Sequence, residues 1–296
     1  MKKQKHCIVL KNPLLWRIMG YVSQAPRPSL ASYIVGRLAA GRLVFSREEA
    51  QVALGIGRGA FLDAAEKLQK RDRLLNLRQG FYVIVPPQYL NFGSPPPASF
   101  IDDLMRHESR PYYVGLLKAA ELQGASHQAV MEFQVVTNRQ MRDVQVGRSK
   151  IAFYFRKDMS AIASGIEERK TDTGKMKISS VELTLLDLLR YPQASAGLDN
   201  MLTVFSDLGS KLNPEGMGVL SRAFERSVVQ RAGYLLDLSG FAKHAEKLHA
   251  LIQRRSQLPW VELDPSLSSD PDLTPEVQAR DERWRVLIRR IPERDE

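Results

Sequence analysis

The stretch from Ser46 to Val85, SREEAQVALGIGRGAFLDAAEKLQKRDRLLNLRQGFYVIV, restricts what this chain can fold into more than any other. Ser46 precedes Glu49 by three residues, the spacing at which a serine oxygen and a glutamate carboxylate each satisfy an open N–H group of a helix start. Ala50, Ala53 and Leu54 give a short apolar face, and Gly55-Ile56-Gly57 ends the segment. A second helix is expected from Arg58, with Phe61, Leu62, Ala64, Ala65 and Leu68 on its inner face. Leu74, Leu75 and Leu77 lead into Arg78-Gln79-Gly80, and Phe81 to Val85 favour a strand. The pattern predicts a helix-turn-helix followed by a two-stranded wing.

Charge sharpens this reading. The 296 residues carry a net +10, and residues 1–92 hold 15 Lys or Arg against 5 Asp or Glu, a difference of +10. The remainder holds 28 of each sign, from 43 minus 15 and 33 minus 5. A basic helix-turn-helix segment is an electrostatic footprint for phosphate, although a solvated basic surface gives the same count. With 44% hydrophobic residues the chain can bury a sizeable core in two or three domains. No apolar run reaches the length of a membrane-spanning helix, and no membrane partner is expected. No cleavable leader is evident, so a cytoplasmic location is expected. Cys7 is the only cysteine, which rules out intramolecular disulfides and cysteine zinc sites.

Taken in order, the chain predicts an α+β protein: an extended winged helix-turn-helix domain over 1–92, a proline-rich linker at 93–98, and a mixed alpha/beta domain over 99–296. Residues 2–11 form a basic arm, and Leu14, Leu15, Ile18 and Met19 an apolar helical stripe over 13–22. Ser29 starts a helix in which Leu30, Ile34, Val35 and Leu38 face inward up to Gly41. Beyond Gly93-Ser94-Pro95-Pro96-Pro97, Ser99 and Asp102 resemble a cap for a helix over 100–107. Pro111 to Gly124 reads as one helix with Tyr113, Leu116, Leu117 and Ala120 inward. Strands follow around 131–135, 144–146 and 151–155. The charged 167–177 segment reads as an exposed excursion. Helices are expected over 182–189 behind Ser179 or Ser180, over 197–208, from Pro214 through Arg231, and over 240–255. In the last of these Phe241, Ala245, Leu248 and Ile252 share a face. Late strands are expected at 260–263 and 284–288.

A helix entering the major groove would present its first residues to base edges. Arg58 is the leading candidate for a base or phosphate contact, and Gly59 allows close approach of the backbone. Lys67 would attract the DNA backbone. Lys70, Arg71 and Arg73 form a denser patch at the far end, Arg78 sits on the wing turn, and Arg42 and Arg47 would clamp phosphates before the short helix. Each also reads as an ordinary solvated side chain, and a winged helix can serve protein contacts alone. Arg222, Arg226 and Arg231 could form a second basic surface, with Lys243, Lys247, Arg254 and Arg255 adding charge, or simply a solvated face. His107-Glu108, His127, His244 and His249 lack metal-ligand spacing, and no phosphate loop, HExxH or nucleophile elbow occurs. No enzyme activity, metal or cofactor is expected.

The basic winged module, the proline joint, PYYVGLLKAAELQG at 111–124 and ISSVELTLLDLLRYP at 178–192 together resemble the AbiEi family of antitoxins, the regulatory halves of type IV toxin-antitoxin systems tied to phage defence. The likeness covers most of 12–255, with an added helical segment at about 13–40 and a tail after 256. It implies a winged helix that binds inverted repeats in the promoter of its own operon as an autorepressor. It also implies a second domain contributing to antitoxicity, and a nucleotidyltransferase-like toxin as partner. Arg58 and the 59–71 helix would take the DNA-reading position, and Arg78 to Tyr82 the wing. The two second-domain segments are assigned to folding. The alternative is a winged-helix regulator or protein-binding scaffold without antitoxin function. The oligomeric state in solution is left open by the sequence.

Overall fold

The computed structural model describes residues 29–125, 131–253, 258–267 and 274–294. The expected basic arm and the 13–22 helix lie outside these residues, as do His127, Arg254 and Arg255.

The head comprises α1 (Leu30–Ala39), β1 (Val44–Ser46), α2 (Arg47–Leu54), α3 (Arg58–Gln69), β2 (Leu74–Arg78) and β3 (Phe81–Ile84). Ser46 and Glu49 form the expected capping box, each side chain meeting the other's backbone N–H. Gly55 closes α2 with φ +63°, the left-handed region that glycine enters without a Cβ penalty. The three strands pair in the order β1-β3-β2. Phe45 stacks on Tyr82 at 5.6 Å and Phe61 meets the same ring edge-on at 5.2 Å. These rings fill the head core with Leu30, Ile34, Ala50, Leu54, Ala65, Leu74 and Ile84. Val35, Ala53 and Leu62, expected inward, are exposed. The rings occupy the small core, so each short helix buries only a narrow stripe, and residues one position from its centre turn outward. Sequence reading also missed β1, which is only three residues long.

The second domain is built on a six-stranded sheet in the order β6-β7-β5-β4-β9-β8. Its strands are β4 (Tyr112–Val114), β5 (Glu132–Thr137), β6 (Val144–Val146), β7 (Ser149–Phe155), β8 (Ile166–Thr171) and β9 (Gly174–Ser179). Two expectations fail here. Pro111 to Gly124 is not one helix: Tyr112–Val114 is a strand between β5 and β9, and the helix α5 runs only over Leu116–Leu122. Aromatic and β-branched residues at 112–114 favour that pairing. The 167–177 excursion is instead the β8–β9 hairpin, whose charges include the Lys175–Glu168 pair at 2.7 Å across the strands.

The sheet's two faces bury different partners. Tyr112, Val114, Phe133, Val135, Ile151, Met176 and Ile178 pack with α4 (Ile101–His107) and with Phe81 and Val83 of the head. Ser99 does not cap α4; Phe100 occupies the N-cap position and gives no side-chain cap. Asp102 instead accepts the Tyr112 hydroxyl at 3.0 Å. Tyr113 and Val136 point the other way, into a helical layer. That layer contains α6 (Val181–Arg190), α7 (Leu198–Leu208), α8 (Pro214–Leu220), α9 (Arg226–Leu238) and α10 (Ala242–Gln253). The helix expected from Pro214 through Arg231 is broken at Phe224, whose ring leaves the helix path to lie under the Arg156 guanidinium at 4.3 Å. A last sheet, β10 (Val261–Glu262), β12 (Val286–Ile288) and β11 (Ala279–Asp281), seats Trp284 against α9. The linker is not loose: Ser94 is buried with its hydroxyl donating to the Val146 carbonyl at 3.1 Å, and Pro95 and Pro97 are buried.

Candidate nucleic-acid interface

Gly57 precedes α3 and offers no side chain to its first N–H groups. These donors remain open to a phosphate or a base edge. Arg58, Gly59 and Ala60 make the first exposed turn, and open space surrounds Gly59. The outward face of α3 continues with Leu62, Asp63, Glu66, Lys67 and Lys70, all exposed. It is therefore mixed in charge. Lys70 pairs with Glu66 at 2.7 Å, which raises the lysine pKa and lowers that of the glutamate.

The nominated cations divide by engagement. Arg42, Arg58, Lys67 and Arg71 are exposed and have no ion pair with another described residue. Arg73 is half-buried behind α3. Arg47 donates its backbone N–H to the Gly80 carbonyl at 2.8 Å, while its guanidinium holds Glu48 at 2.7 Å. Backbone hydrogen bonding and this arginine keep Glu48 below the usual carboxylate range. Arg78 turns away from the wing tip toward the second domain, with Nη2 donating to the Arg142 carbonyl at 2.6 Å and the guanidinium 5.6 Å from the Phe153 ring. Sequence reading missed this because both partners lie more than sixty residues away.

The proposed second basic stripe does not assemble. Arg222 lies in a short 3₁₀ turn before α9, Arg226 opens α9, and Arg231 is half-buried with Nε donating to the Glu262 carbonyl at 2.7 Å. Burial lowers the Arg231 pKa from its ordinary value. Of the other basic residues, Lys247 pairs with Glu215. Among the described residues, no cluster of three or more His, Cys, Asp or Glu could hold a metal ion. His107 lies within 3.1 Å of the Gln79 carbonyl, and His249 within 3.2 Å of the Arg283 carbonyl.

Two further features went unread in the sequence. A cleft of about 580 Å³ separates the head from the second domain, with Arg37 and Arg42 on one wall and Asp102, Asp103 and Arg106 on the other. Burial raises the Asp103 pKa against the nearby arginines. Beneath the sheet, Asp187 is fully buried between the Tyr113 hydroxyl at 2.5 Å and Arg156 Nη1 at 3.2 Å. Burial pushes Asp187 up to about 6 even though Tyr113 and Arg156 oppose the shift. Arg156 is only 3% exposed and Asp187 not at all, so the triad offers almost no surface to a substrate and holds the fold.

Among known proteins, residues 113–238 match the family described as the AbiEi antitoxin C-terminal domain. The crystal structure of the RV2827C protein from Mycobacterium tuberculosis is similar to this chain with a TM-score of 0.65 at 17% identity, covering 87% of this chain and 90% of that one. The shared fold thus spans head and second domain. The antibiotic-resistance factor ANT(2'')-Ia, known in solution, aligns with a TM-score of 0.27 at 13% identity over 42% of this chain and 86% of its own, too loosely to carry an argument. No curated protein matches the chain. Among the described residues, no helix is long and apolar enough to cross a membrane.

Proposed function

We propose that this chain, whose residues 113–238 belong to the AbiEi antitoxin C-terminal domain family, is a cytoplasmic antitoxin that also binds double-stranded DNA and represses its own promoter. The observation that carries the DNA half is the uncapped start of α3, where Arg58, Gly59 and Ala60 are exposed beside open backbone donors. Arg58 would contact a base or an adjacent phosphate, with the backbone N–H groups at Gly59 holding a phosphate. Lys67, Lys70, Arg71 and Arg73 would track the duplex backbone from α3 and its C-terminal end, with Arg42, ahead of β1, and Arg47, at the start of α2, clamping it before the short helix. Two protomers on inverted repeats would place two α3 helices in successive major-groove faces. The partner is a nucleotidyltransferase-like toxin of a type IV pair acting in phage defence. The chain itself needs no cofactor and performs no catalytic turnover.

A protein-binding scaffold is the second reading, favoured by Asp63 and Glu66 on the outward face of α3. A gel-shift titration against the chain's own upstream DNA and a shuffled control, at two salt concentrations, separates the readings. Preference for upstream DNA that persists at higher salt supports the repressor. Equal binding that collapses with salt leaves only phosphate attraction, and absent binding favours the scaffold.

A further inference from the structure

The central strand of the wing sheet, β3, is buried on both faces. Leu74, Tyr82 and Ile84 enter the head core, while Phe81 and Val83 enter the core of the second domain, with Val44, Leu75 and Leu77 packed beside them. β2 pairs with β3 through a register irregularity between Asn76 and Arg78, so Arg78, rather than Leu77, sits opposite Phe81. Such bulges re-aim a side chain. Here the re-aimed group is Arg78, only 21% exposed, which bonds the Arg142 carbonyl, lies against Phe153 and comes within 3.9 Å of Glu108. The rest of the turn is held as well. Gln79 offers its carbonyl to His107, and the Phe81 and His107 rings sit 5.3 Å apart.

We propose that Arg78 is a positioning residue: it fixes the wing, and with it α3, to the second domain, so that the reading helix meets DNA in one orientation. The wing is a strut facing protein on both sides, and the phosphate contacts come from α3 and α2. This rests on the DNA-binding reading above, but it assigns Arg78 a task opposite to that of a wing-tip phosphate contact. Arginine suits the strut because its planar guanidinium can lie on a ring while its fork reaches a carbonyl, which a lysine ammonium cannot reproduce. For a phosphate contact, lysine would serve.

That difference supplies the test. Full-length wild type, Arg78→Lys, Arg78→Ala and Arg58→Ala are titrated on upstream DNA over a series of salt concentrations. Both Arg78 variants are expected to bind about fivefold more weakly at every salt, as follows if the competent orientation falls to about one-fifth of the population. Their slope of log affinity against log salt stays at the wild-type value. Arg58→Ala instead lowers the slope by about 0.9. Arg78→Lys binding as wild type while Arg78→Ala loses about 0.9 of slope would make Arg78 a phosphate contact and overturn the proposal. So would wild-type binding by both Arg78 variants.

If wild type binds no DNA, the repressor reading fails by itself. The strut is then judged on protein alone, by thermolysin cleavage within the 86–98 joint. About fivefold faster cleavage there in both Arg78 variants, with cleavage elsewhere unchanged, is expected. An unchanged rate at the joint overturns the strut.

Discussion

Gly233 lies inside α9, where replacing glycine by alanine ordinarily gains about 1 kcal/mol of helix stability. Here the opposite is expected. A methyl group built on Gly233 falls inside the van der Waals envelope of three Trp284 ring atoms, Cη2, Cζ3 and Cε3. The ring is fully buried and held on several sides. Its Nε1 donates to Asp237 at 2.6 Å, the backbone carbonyl of Trp284 accepts from Gln230 at 2.8 Å, and His249 meets the ring edge-on at 5.2 Å. Overpacking of this kind costs about 1–3 kcal/mol, and loosening a hydrogen bond to a charged group adds about 1.5–3 kcal/mol. After subtracting the helix gain, Gly233→Ala should destabilise by roughly 1.5–5 kcal/mol, a fall in Tm of roughly 2–8 °C for a chain of this length. Gly209→Ala is the comparison, because its methyl meets the Phe241 ring, which is half-exposed and can swing outward. That variant should lose under about 1 kcal/mol. Urea and thermal melts of the full chain measure both. A neutral or stabilised Gly233→Ala, or equal losses in the two variants, would refute the seating of Trp284 on α9.

Arg58→Ala should weaken binding to upstream DNA by about threefold more at 50 mM than at 200 mM salt, the consequence of one lost phosphate contact. Its thermal midpoint should not fall, since a cation in the first turn of α3 opposes the helix dipole; a lower midpoint would mean Arg58 supports the fold instead. For Asp187, burial raises the folded pKa to about 6, above the unfolded value of about 3.9. Its stability contribution is thus fully present below about pH 4 and is lost as pH rises through about 6, by up to about 3 kcal/mol. Urea melts of wild type and Asp187→Asn across pH 4 to 7 should show that difference shrinking for wild type, and a flat difference would count against a buried proton on Asp187.

The head was legible because its signals are local. Ser46 and Glu49 are three residues apart, Gly55 needs only its own φ, and α3 begins and ends within one apolar repeat. The failures share a different cause. The Leu116–Leu122 repeat continues the apolar run of Tyr112–Val114, so locally the two read as one helix, and only pairing with β5 and β9 decides otherwise. Phe81-Tyr82-Val83-Ile84 carried an unused clue. Four successive apolar residues, instead of alternating ones, are consistent with a strand covered on both faces, and all four are buried. That run points away from a wing with one face in water. Nothing local, however, pairs Arg78 with Arg142 or Asp187 with Arg156.

The same distinction bears on the charge. Of the +10 excess, residues 1–28 hold six Lys or Arg and no acid, while 29–92 hold nine against five, or +4. Within 29–92, only Arg42, Arg58, Lys67 and Arg71 are both exposed and without an ion pair to another described residue. These four, together with Arg47, Lys70 and Arg73, which the DNA-binding reading also gives to phosphates, support a salt slope no steeper than about −6.3 per protomer, at about 0.9 for each phosphate neutralised. A steeper slope must draw on further cations, and residues 1–28 supply six Lys or Arg with no acid. Removing 1–11, which takes away Lys2, Lys3, Lys5 and Lys11, should then flatten the slope toward that limit while leaving the preference for upstream over shuffled DNA intact, since phosphate contacts carry no sequence information. A chain lacking 1–11 that keeps a slope steeper than about −6.3 would show that phosphate contacts arise from Arg17, Arg27 or cations beyond those assigned to DNA. Loss of the preference itself would move sequence reading from α3 to the arm.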